Sequence, residues 1–142
     1  MTATGIAQDK IDAYLATQYR VSWAGAAFIL QIGTRSADLA AVYRTTGTAS
    51  ALFITAFNPL GRARPDDENI ADHQRLRAEL LAGATLFAEG EGADPSGAWP
   101  AEKSFLVLGV DERDARALGT RYRQDAVVWA GPDALPHLLL LR

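Results

Sequence analysis

The 142-residue sequence contains no cysteine, and this absence excludes several classes of protein. Disulfides, thiolate nucleophiles, zinc fingers and iron–sulfur clusters all depend on cysteine. Histidine is also scarce, because His73 and His137 are the only two in the chain. A metal site built from several histidines of one chain is therefore excluded. We expect neither a metal ion nor an organic cofactor.

Strong positive charge and long apolar runs are missing as well. The formal net charge is −3, which offers no basic surface for general nucleic-acid binding. No apolar run approaches the roughly 20 residues that a transmembrane helix needs. The first residues lack a basic region followed by an apolar core, so we predict no secretory signal. These absences favour a cytoplasmic location, without membrane attachment.

The residues that are present suit one globular domain over residues 1–142, since 49% of them are hydrophobic. Periodicity and breakers predict the element order α-β-α-β-α-β-β-α-β-β. The predicted helices cover residues 6–18, 36–46, 65–81 and 111–122, and the predicted strands cover 26–32, 51–57, 85–89, 104–110, 126–130 and 138–141. Two β-β connections in the second half argue against an all-parallel sheet. We expect an α+β fold: a mixed or antiparallel sheet of about five to six strands packed with three to four helices.

Residues 51–69 form the most informative segment. An apolar run suited to a buried strand stops at Asn58-Pro59, and a loop with Arg62 and Arg64 leads to an acidic helix start. Polar groups between a strand end and a helix N-terminus are often part of ligand sites in α/β-type domains. This junction is therefore the candidate site.

The following helix extends the polar set. At about 100° per residue, Asn69, His73 and Arg77 fall on the same arc as the apolar residues that face the core. Buried polar groups must be hydrogen-bonded. Two interpretations stay open: these side chains bind the backbone of the adjacent loop, or they bind a ligand.

Acid–base chemistry would depend on His73, which could pair with Asp72, Glu68 or Glu102 because imidazole titrates near neutrality. The alternative is a structural histidine. No G-x-S-x-G segment marks a serine nucleophile. The glycines around Glu91 are interpreted as a flexible turn in a loop over residues 90–100, rather than as a phosphate cradle.

Several segments resemble one family when their order and spacing are taken together. They are Thr55-Ala56-Phe57-Asn58-Pro59, Glu68-Asn69, Leu76 with Leu80, Gly90-Glu91-Gly92, Gly97-x-Trp99, Glu102-x-Ser104-Phe105-Leu106-Val107 with Gly109, and Gln124-x-Ala126. This series resembles the bacterial "domain of unknown function 3293" family, from about residue 51 to residue 142. The resemblance implies a small bacterial protein and brings no activity with it.

The sequence departs from that family's pattern at three positions. Pro65 stands where serine is usual, so a proline-started helix replaces a capping box. His73 stands where asparagine is frequent, and Asp125 follows Gln124 where asparagine is usual. The last two departures leave no fixed catalytic chemistry for the resemblance to imply at those positions.

Two functional hypotheses follow. The first is a non-catalytic module that binds a small molecule or a protein partner. Its candidate ligand-binding residues are Asn58, Arg62, Arg64, Asn69, Arg77, Trp99 and Gln124. The second is a small metal-independent hydrolase or nuclease that uses His73, Glu68 or Glu102, and the arginines. An enzyme of this kind requires His73, an acidic residue and an arginine to converge in one open pocket.

Overall fold

A computed structural model describes residues 4–142. Within them lie four α-helices: α1 (Gln8–Ala16), α2 (Ala37–Thr46), α3 (Asp66–Ala82) and α4 (Glu112–Arg121). The seven strands are β1 (Gln18–Trp23), β2 (Ala26–Leu30), β3 (Ala51–Ile54), β4 (Phe87–Ala93), β5 (Glu102–Leu108), β6 (Ala126–Ala130) and β7 (His137–Leu140). A short 3₁₀ turn, Pro59–Gly61, lies between β3 and α3.

The strands form one sheet in the order β2-β1-β4-β5-β3-β6-β7, and all six neighbouring pairs are antiparallel. The α+β prediction with three to four helices is confirmed. The predicted number of about five to six strands is too low by at least one. Of the two predicted alternatives, a mixed or an antiparallel sheet, the antiparallel one is confirmed for residues 4–142. Three of these pairs, β1–β2, β4–β5 and β6–β7, are antiparallel because each is joined directly, with no helix between its two strands.

The missed strand is β1, which the sequence analysis assigned in part to the first helix. That helix ends at Ala16 rather than residue 18, although Leu15 and Tyr19 have the i, i+4 spacing of a helix. Tyr19 and Val21 instead point to one buried face, while Arg20 between them is exposed. This alternation is the period of a strand. The pairing of β1 with both β2 and β4 outweighs the local helical pattern.

The prediction of a flexible turn at Gly90-Glu91-Gly92 is also wrong, because all three residues lie in β4 and pair with β1 and β5. A Cβ atom added to Gly90 would lie 2.4 Å from the carbonyl oxygen of Arg20 and 3.0 Å from the ring of Phe53. The glycine therefore permits a close approach inside the sheet. The fold requires glycine here because the residue lacks a Cβ atom, and not because its backbone is flexible.

The helices cover both faces of the sheet. One buried cluster packs α2 against β1, β3, β5 and β6, through residues that include Leu39, Tyr43 and Phe53. The other packs α3 and α4 against the opposite face, through residues that include Leu76 and Phe105. No helix within residues 4–142 is long and apolar enough to cross a bilayer.

The sequence predicts caps at Ser36, Gly47 and Asp111, next to the predicted helices over residues 36–46 and 111–122. The Ser36 hydroxyl accepts a hydrogen bond from the Leu39 N–H at 3.0 Å, and Gly47 ends α2 in a left-handed conformation. The Asp111 carboxylate accepts from the Asp114 N–H at 2.8 Å at the start of α4. Each cap satisfies a backbone group that the helix leaves unpaired. These local signals are confirmed.

Candidate ligand-binding cavity

A cavity of about 460 Å³ lies where the ends of β3, β5 and β6 meet α1 and the segment between β3 and α3. Its apolar and aromatic walls include Ala13, Tyr14, Tyr19, Phe53, Phe57, Trp99, Ala126, Val128 and Leu138. Its polar lining includes Lys10, Asn58, Arg64, Asp66, Asn69, Glu102, Ser104 and Gln124. Volumes of about 300–1,000 Å³ with this mixture of surfaces are typical of small-molecule sites.

Asn58 and Asn69 form the centre of the polar side. The backbone N–H of Asn58 donates to Asn69 Oδ1 at 2.8 Å, and Asn69 Nδ2 donates to Asn58 Oδ1 at 2.9 Å. Asn58 has φ of 47° and ψ of 63°, a left-handed conformation that asparagine tolerates better than most residues. The pair therefore holds the exit of β3 against the first turn of α3.

Arg64 fastens the loop between them. Its Nε donates to Asn69 Oδ1 at 2.6 Å, and its Nη2 donates to Asp72 Oδ2 at 2.7 Å and to the Ala56 carbonyl at 3.2 Å. The guanidinium thus bridges α3 and the chain just after β3, in the fixed geometry that arginine provides. Arg64 lines the cavity, but these three acceptors already use most of its donors.

Glu102 contributes a carboxylate whose negative charge is balanced less fully than the charges of Lys10 and Arg64. Its Oε2 accepts a hydrogen bond from Asn58 Nδ2 at 2.7 Å. Burial nevertheless raises the pKa of Glu102, against the lowering effect of this hydrogen bond. Among residues 4–142, no lysine, arginine or histidine forms an ion pair with it.

Helix α1 closes the cavity from the other side, and sequence reasoning missed this contribution. Lys10 Nζ donates to Asp125 Oδ2 at 2.9 Å and to the Leu60 carbonyl at 3.3 Å. The Asp125 side chain is fully inaccessible, and it also pairs with Arg142. The two cations lower the pKa of Asp125 although burial acts in the opposite direction. This buried ion pair anchors α1, which has no buried residue of its own.

Two tyrosines face the cavity beneath α1. The Tyr19 hydroxyl donates to the Tyr14 carbonyl at 2.7 Å, which ties β1 to the end of α1. Burial raises the pKa of Tyr14 to about 12, and the negative charges of Asp125 and Glu102 act in the same direction. Tyr14 therefore keeps its proton at neutral pH, and it lines the same cavity as Glu102.

The structure brings six of the predicted site residues to the cavity lining: Asn58, Arg64, Asn69, Trp99, Glu102 and Gln124. Gln124 donates through Nε2 to the Phe57 carbonyl at 3.2 Å, so it also supports the segment after β3. Trp99 is partly buried and lines the cavity. The remaining candidates, Arg62, Glu68, His73 and Arg77, are not among the residues that line this cavity.

Arg77 does not share the buried arc of α3, which is a correction to the predicted helix face. Its side chain is exposed, lies over the ring of Phe87 at 5.6 Å and pairs with Glu89 at 2.6 Å. A long arginine stem can lie along apolar surface while its charged end reaches water. Asn69 and His73 are buried as predicted. Arg62 and Glu68 are exposed.

His73 lies between aromatic rings rather than in the cavity. Its ring stacks on Phe105 at a centroid distance of 4.3 Å and meets Phe57 edge-on at 6.1 Å. Within the described residues its buried Nδ1 has no hydrogen-bond partner. Burial lowers the pKa of His73. The convergence of His73, an acidic residue and an arginine in one pocket is therefore not found, because Glu102 and Arg64 line the cavity without it.

The donor set offers no metal centre over the part of the chain that the structure covers. In residues 4–142, no group of three or more histidine, aspartate, glutamate or cysteine side chains is placed to hold an ion. Of the charged side chains at the cavity, Lys10 pairs with Asp125 and Arg64 with Asp72. Their arrangement suits hydrogen bonding to an organic molecule.

The fold and the cavity together define an α+β protein. It has a seven-stranded antiparallel sheet, and a cavity large enough for a small molecule lies between α1 and that sheet. A family model described as "Protein of unknown function (DUF3293)" matches residues 54–127, and the chain belongs to this family. Searches of curated proteins and of solved structures found no match. The matched range contains Asn58, Arg64, Asn69, Glu102 and Gln124, whereas α1 lies outside it.

Proposed function

We propose that this protein binds a small, largely apolar organic molecule in the cavity between α1 and the sheet. The observation that carries the proposal is the combination of about 460 Å³ of space with aromatic walls and one polar side. An apolar space with a few convergent polar groups is the usual form of a small-molecule site.

The arrangement of the polar side supports binding rather than simple packing. The hydrogen bonds among Asn58, Asn69 and Arg64 fix side chains at the cavity before any ligand arrives. Preorganised groups lose little conformational freedom when a ligand binds, so they favour affinity. The concave shape favours a small molecule over a protein partner, because protein interfaces usually need a much larger contact area.

A non-catalytic role is the better supported of the two hypotheses. The hydrolase alternative depended on His73 acting beside an acidic residue and an arginine. His73 is stacked on Phe105 and does not line the cavity. We therefore propose a binding module without a hydrolytic step.

A thermal-shift screen over nucleotides, small metabolites and apolar fragments tests this function, since a ligand that binds the native state raises the melting temperature. Ala13→Trp would place an indole in the cavity from the inner side of α1. Ala16→Trp is the matched control, because Ala16 is exposed at the end of the same helix and does not line the cavity.

We expect the hits of the wild-type protein to be lost in Ala13→Trp and kept in Ala16→Trp. Isothermal titration of each hit then provides the dissociation constants. If a folded Ala13→Trp protein binds the hits as tightly as the wild type, the cavity is not the binding site. An absence of hits across the whole panel also counts against the proposal.

A further inference from the structure

Glu102 differs from the other charged groups that line the cavity, which are Lys10, Arg64 and Asp66. Asp66 also lacks an ion pair within residues 4–142, but it is exposed to water, whereas Glu102 is partly buried. Lys10 is held by Asp125, and Arg64 is held by Asp72. Glu102 has a hydrogen bond from Asn58 but no ion-pair partner in residues 4–142. A partly buried carboxylate that lacks a cation is costly, and a cation brought by a ligand would compensate it.

The orientation of the Asn58 amide is fixed by its other contacts. Its Oδ1 accepts from Asn69 Nδ2 at 2.9 Å and from the Arg64 N–H at 3.3 Å. With the oxygen used in this way, Nδ2 must be the atom that points to Glu102, where it donates at 2.7 Å. This hydrogen bond orients the carboxylate while leaving its other oxygen, Oε1, without a hydrogen bond from the described residues.

The surroundings of Glu102 suit an ammonium group on an apolar body. Tyr14 lines the same cavity and stays protonated, so its hydroxyl oxygen can accept a hydrogen bond from the ligand. Tyr19, Phe53 and Trp99 supply aromatic surface in the same cavity, and aromatic faces attract organic cations as well as apolar groups. The two cations of the lining, Lys10 and Arg64, are already paired with carboxylates. This pairing lowers their repulsion towards a positively charged ligand.

From these contacts we propose that the ligand carries a primary amine, protonated at neutral pH, which pairs with the Glu102 carboxylate while its apolar part fills the aromatic end of the cavity. This assignment of a ligand class rests on the proposed small-molecule binding and specifies its polar group. The amine is recognised by charge and by hydrogen bonding to Glu102. Asn58 is a positioning residue, since it acts through Glu102.

Three probes that share a phenylethyl body but differ in the charge of the polar group provide the test: 2-phenylethylamine, 2-phenylethanol and 3-phenylpropanoate. Binding is measured by isothermal titration at neutral pH and low ionic strength. We expect the amine to bind about tenfold or more tighter than the alcohol, in line with hydrogen bonds to charged groups. The carboxylate probe should bind more weakly than either.

Glu102→Gln keeps the size of the side chain and an oxygen that can accept from Asn58, but it removes the charge. We expect this variant to lose the preference for the amine and to bind 2-phenylethanol as the wild type does. Glu112→Gln is the control, because Glu112 lies in the exposed first turn of α4, the helix packed on the opposite face of the sheet. It should retain the preference for the amine.

The possible results separate this inference from the proposed function. Equal binding of all three probes, with loss of binding in Ala13→Trp, would overturn the amine assignment and leave the cavity as a binding site. Tightest binding of 3-phenylpropanoate would overturn the assignment in favour of an anion. Binding of the amine that persists equally in Glu102→Gln and Ala13→Trp would contradict both proposals.

Discussion

Asn58 and Asn69 are joined by two reciprocal hydrogen bonds, one from the Asn58 backbone and one from the Asn69 side chain, at 2.8 and 2.9 Å. They connect the end of β3 to the first turn of α3, although the residues are 11 positions apart. The same pair directs the Asn58 amide towards Glu102. A structural contact between two elements thus also sets the polar side of the cavity.

Asn69→Ala is expected to lower the free energy of unfolding by about 1–3 kcal/mol, the cost of leaving buried polar partners unsatisfied. The Asn58 N–H and the Arg64 Nε would both lose their shared acceptor, Asn69 Oδ1. Urea denaturation measures the change. We also expect the ligand-dependent rise in melting temperature to disappear, because Asn58 would no longer be held beside Glu102.

Gln74→Ala is the matched control for this variant, because Gln74 is exposed on the same helix. It should change stability by less than about 0.5 kcal/mol. Equal urea midpoints for Asn69→Ala and the wild type would show that the reciprocal pair contributes no net stability.

Part of this site was predictable from local sequence. Asn58, Arg64 and Asn69 lie within 12 residues of one another, and the strand end and helix start around them have clear signals. Glu102 and Trp99 entered the prediction separately, and no local signal showed that they meet the same cavity. Lys10 and Tyr14 were missed because α1 reaches the site through the ion pair with Asp125, 115 positions away from Lys10.

The errors in the fold have a similar cause. The alternation of Tyr19, Val21 and Trp23 was a usable strand signal, but the spacing of Tyr14, Leu15 and Tyr19 competed with it. Residues 18–23 form a strand because β1 pairs with β2 on one side and with β4 on the other.

The sequence predicts a loop at Gly90 because glycine has a low intrinsic propensity for β-strands. Its function in the fold depends on the Arg20 carbonyl and the Phe53 ring, which only the tertiary structure brings close.

Asp125→Asn should destabilise the protein at neutral pH by about 1–3 kcal/mol, because the Lys10 and Arg142 cations would lose a buried carboxylate. Larger losses are not expected, since the side chains of Lys10 and Arg142 are 37% and 44% exposed. Chemical denaturation as a function of pH measures the effect. Glu91→Gln, which breaks a surface pair with Arg20, is the control and should cost about 0–1 kcal/mol.

The pH dependence of this difference has a definite sign. The pKa of Asp125 is lowered from the ordinary value of 3.8, so the native state binds this proton less readily than the unfolded state does. The stabilisation is therefore complete above about pH 4 and is lost as the pH falls through the native pKa. The stabilities of wild type and Asp125→Asn should converge in acid; a constant difference down to the lowest pH would contradict the ion-pair explanation.

Two glycines of β4 provide a matched pair for a packing test. A Cβ at Gly90 would meet the Arg20 carbonyl oxygen at 2.4 Å, whereas a Cβ at Gly92 would meet only the Thr17 methyl group at 3.7 Å. Gly90→Ala should therefore cost about 1–3 kcal/mol or more, because backbone must move, while Gly92→Ala should be close to neutral. Thermal and urea unfolding measure both. Similar losses for the two variants would mean that strand flexibility, rather than the contact with Arg20, explains the glycines.

His73→Phe separates a structural histidine from a functional one. Burial lowers the native pKa of His73 below the ordinary value of 6.5, so the unfolded state takes up this proton first as the pH falls. The His73 contribution to stability is therefore complete above about pH 6.5 and is lost as the pH falls below it.

Phenylalanine can keep the stacking on Phe105, and it has no proton to bind. We expect His73→Phe to flatten the dependence of unfolding free energy on pH between about 5 and 7, with ligand affinity unchanged within twofold. His137→Gln, at an exposed position in β7, is the control and should leave the wild-type pH profile in place. A loss of ligand binding in a folded His73→Phe protein would instead place His73 in the site and restore the case for acid–base chemistry.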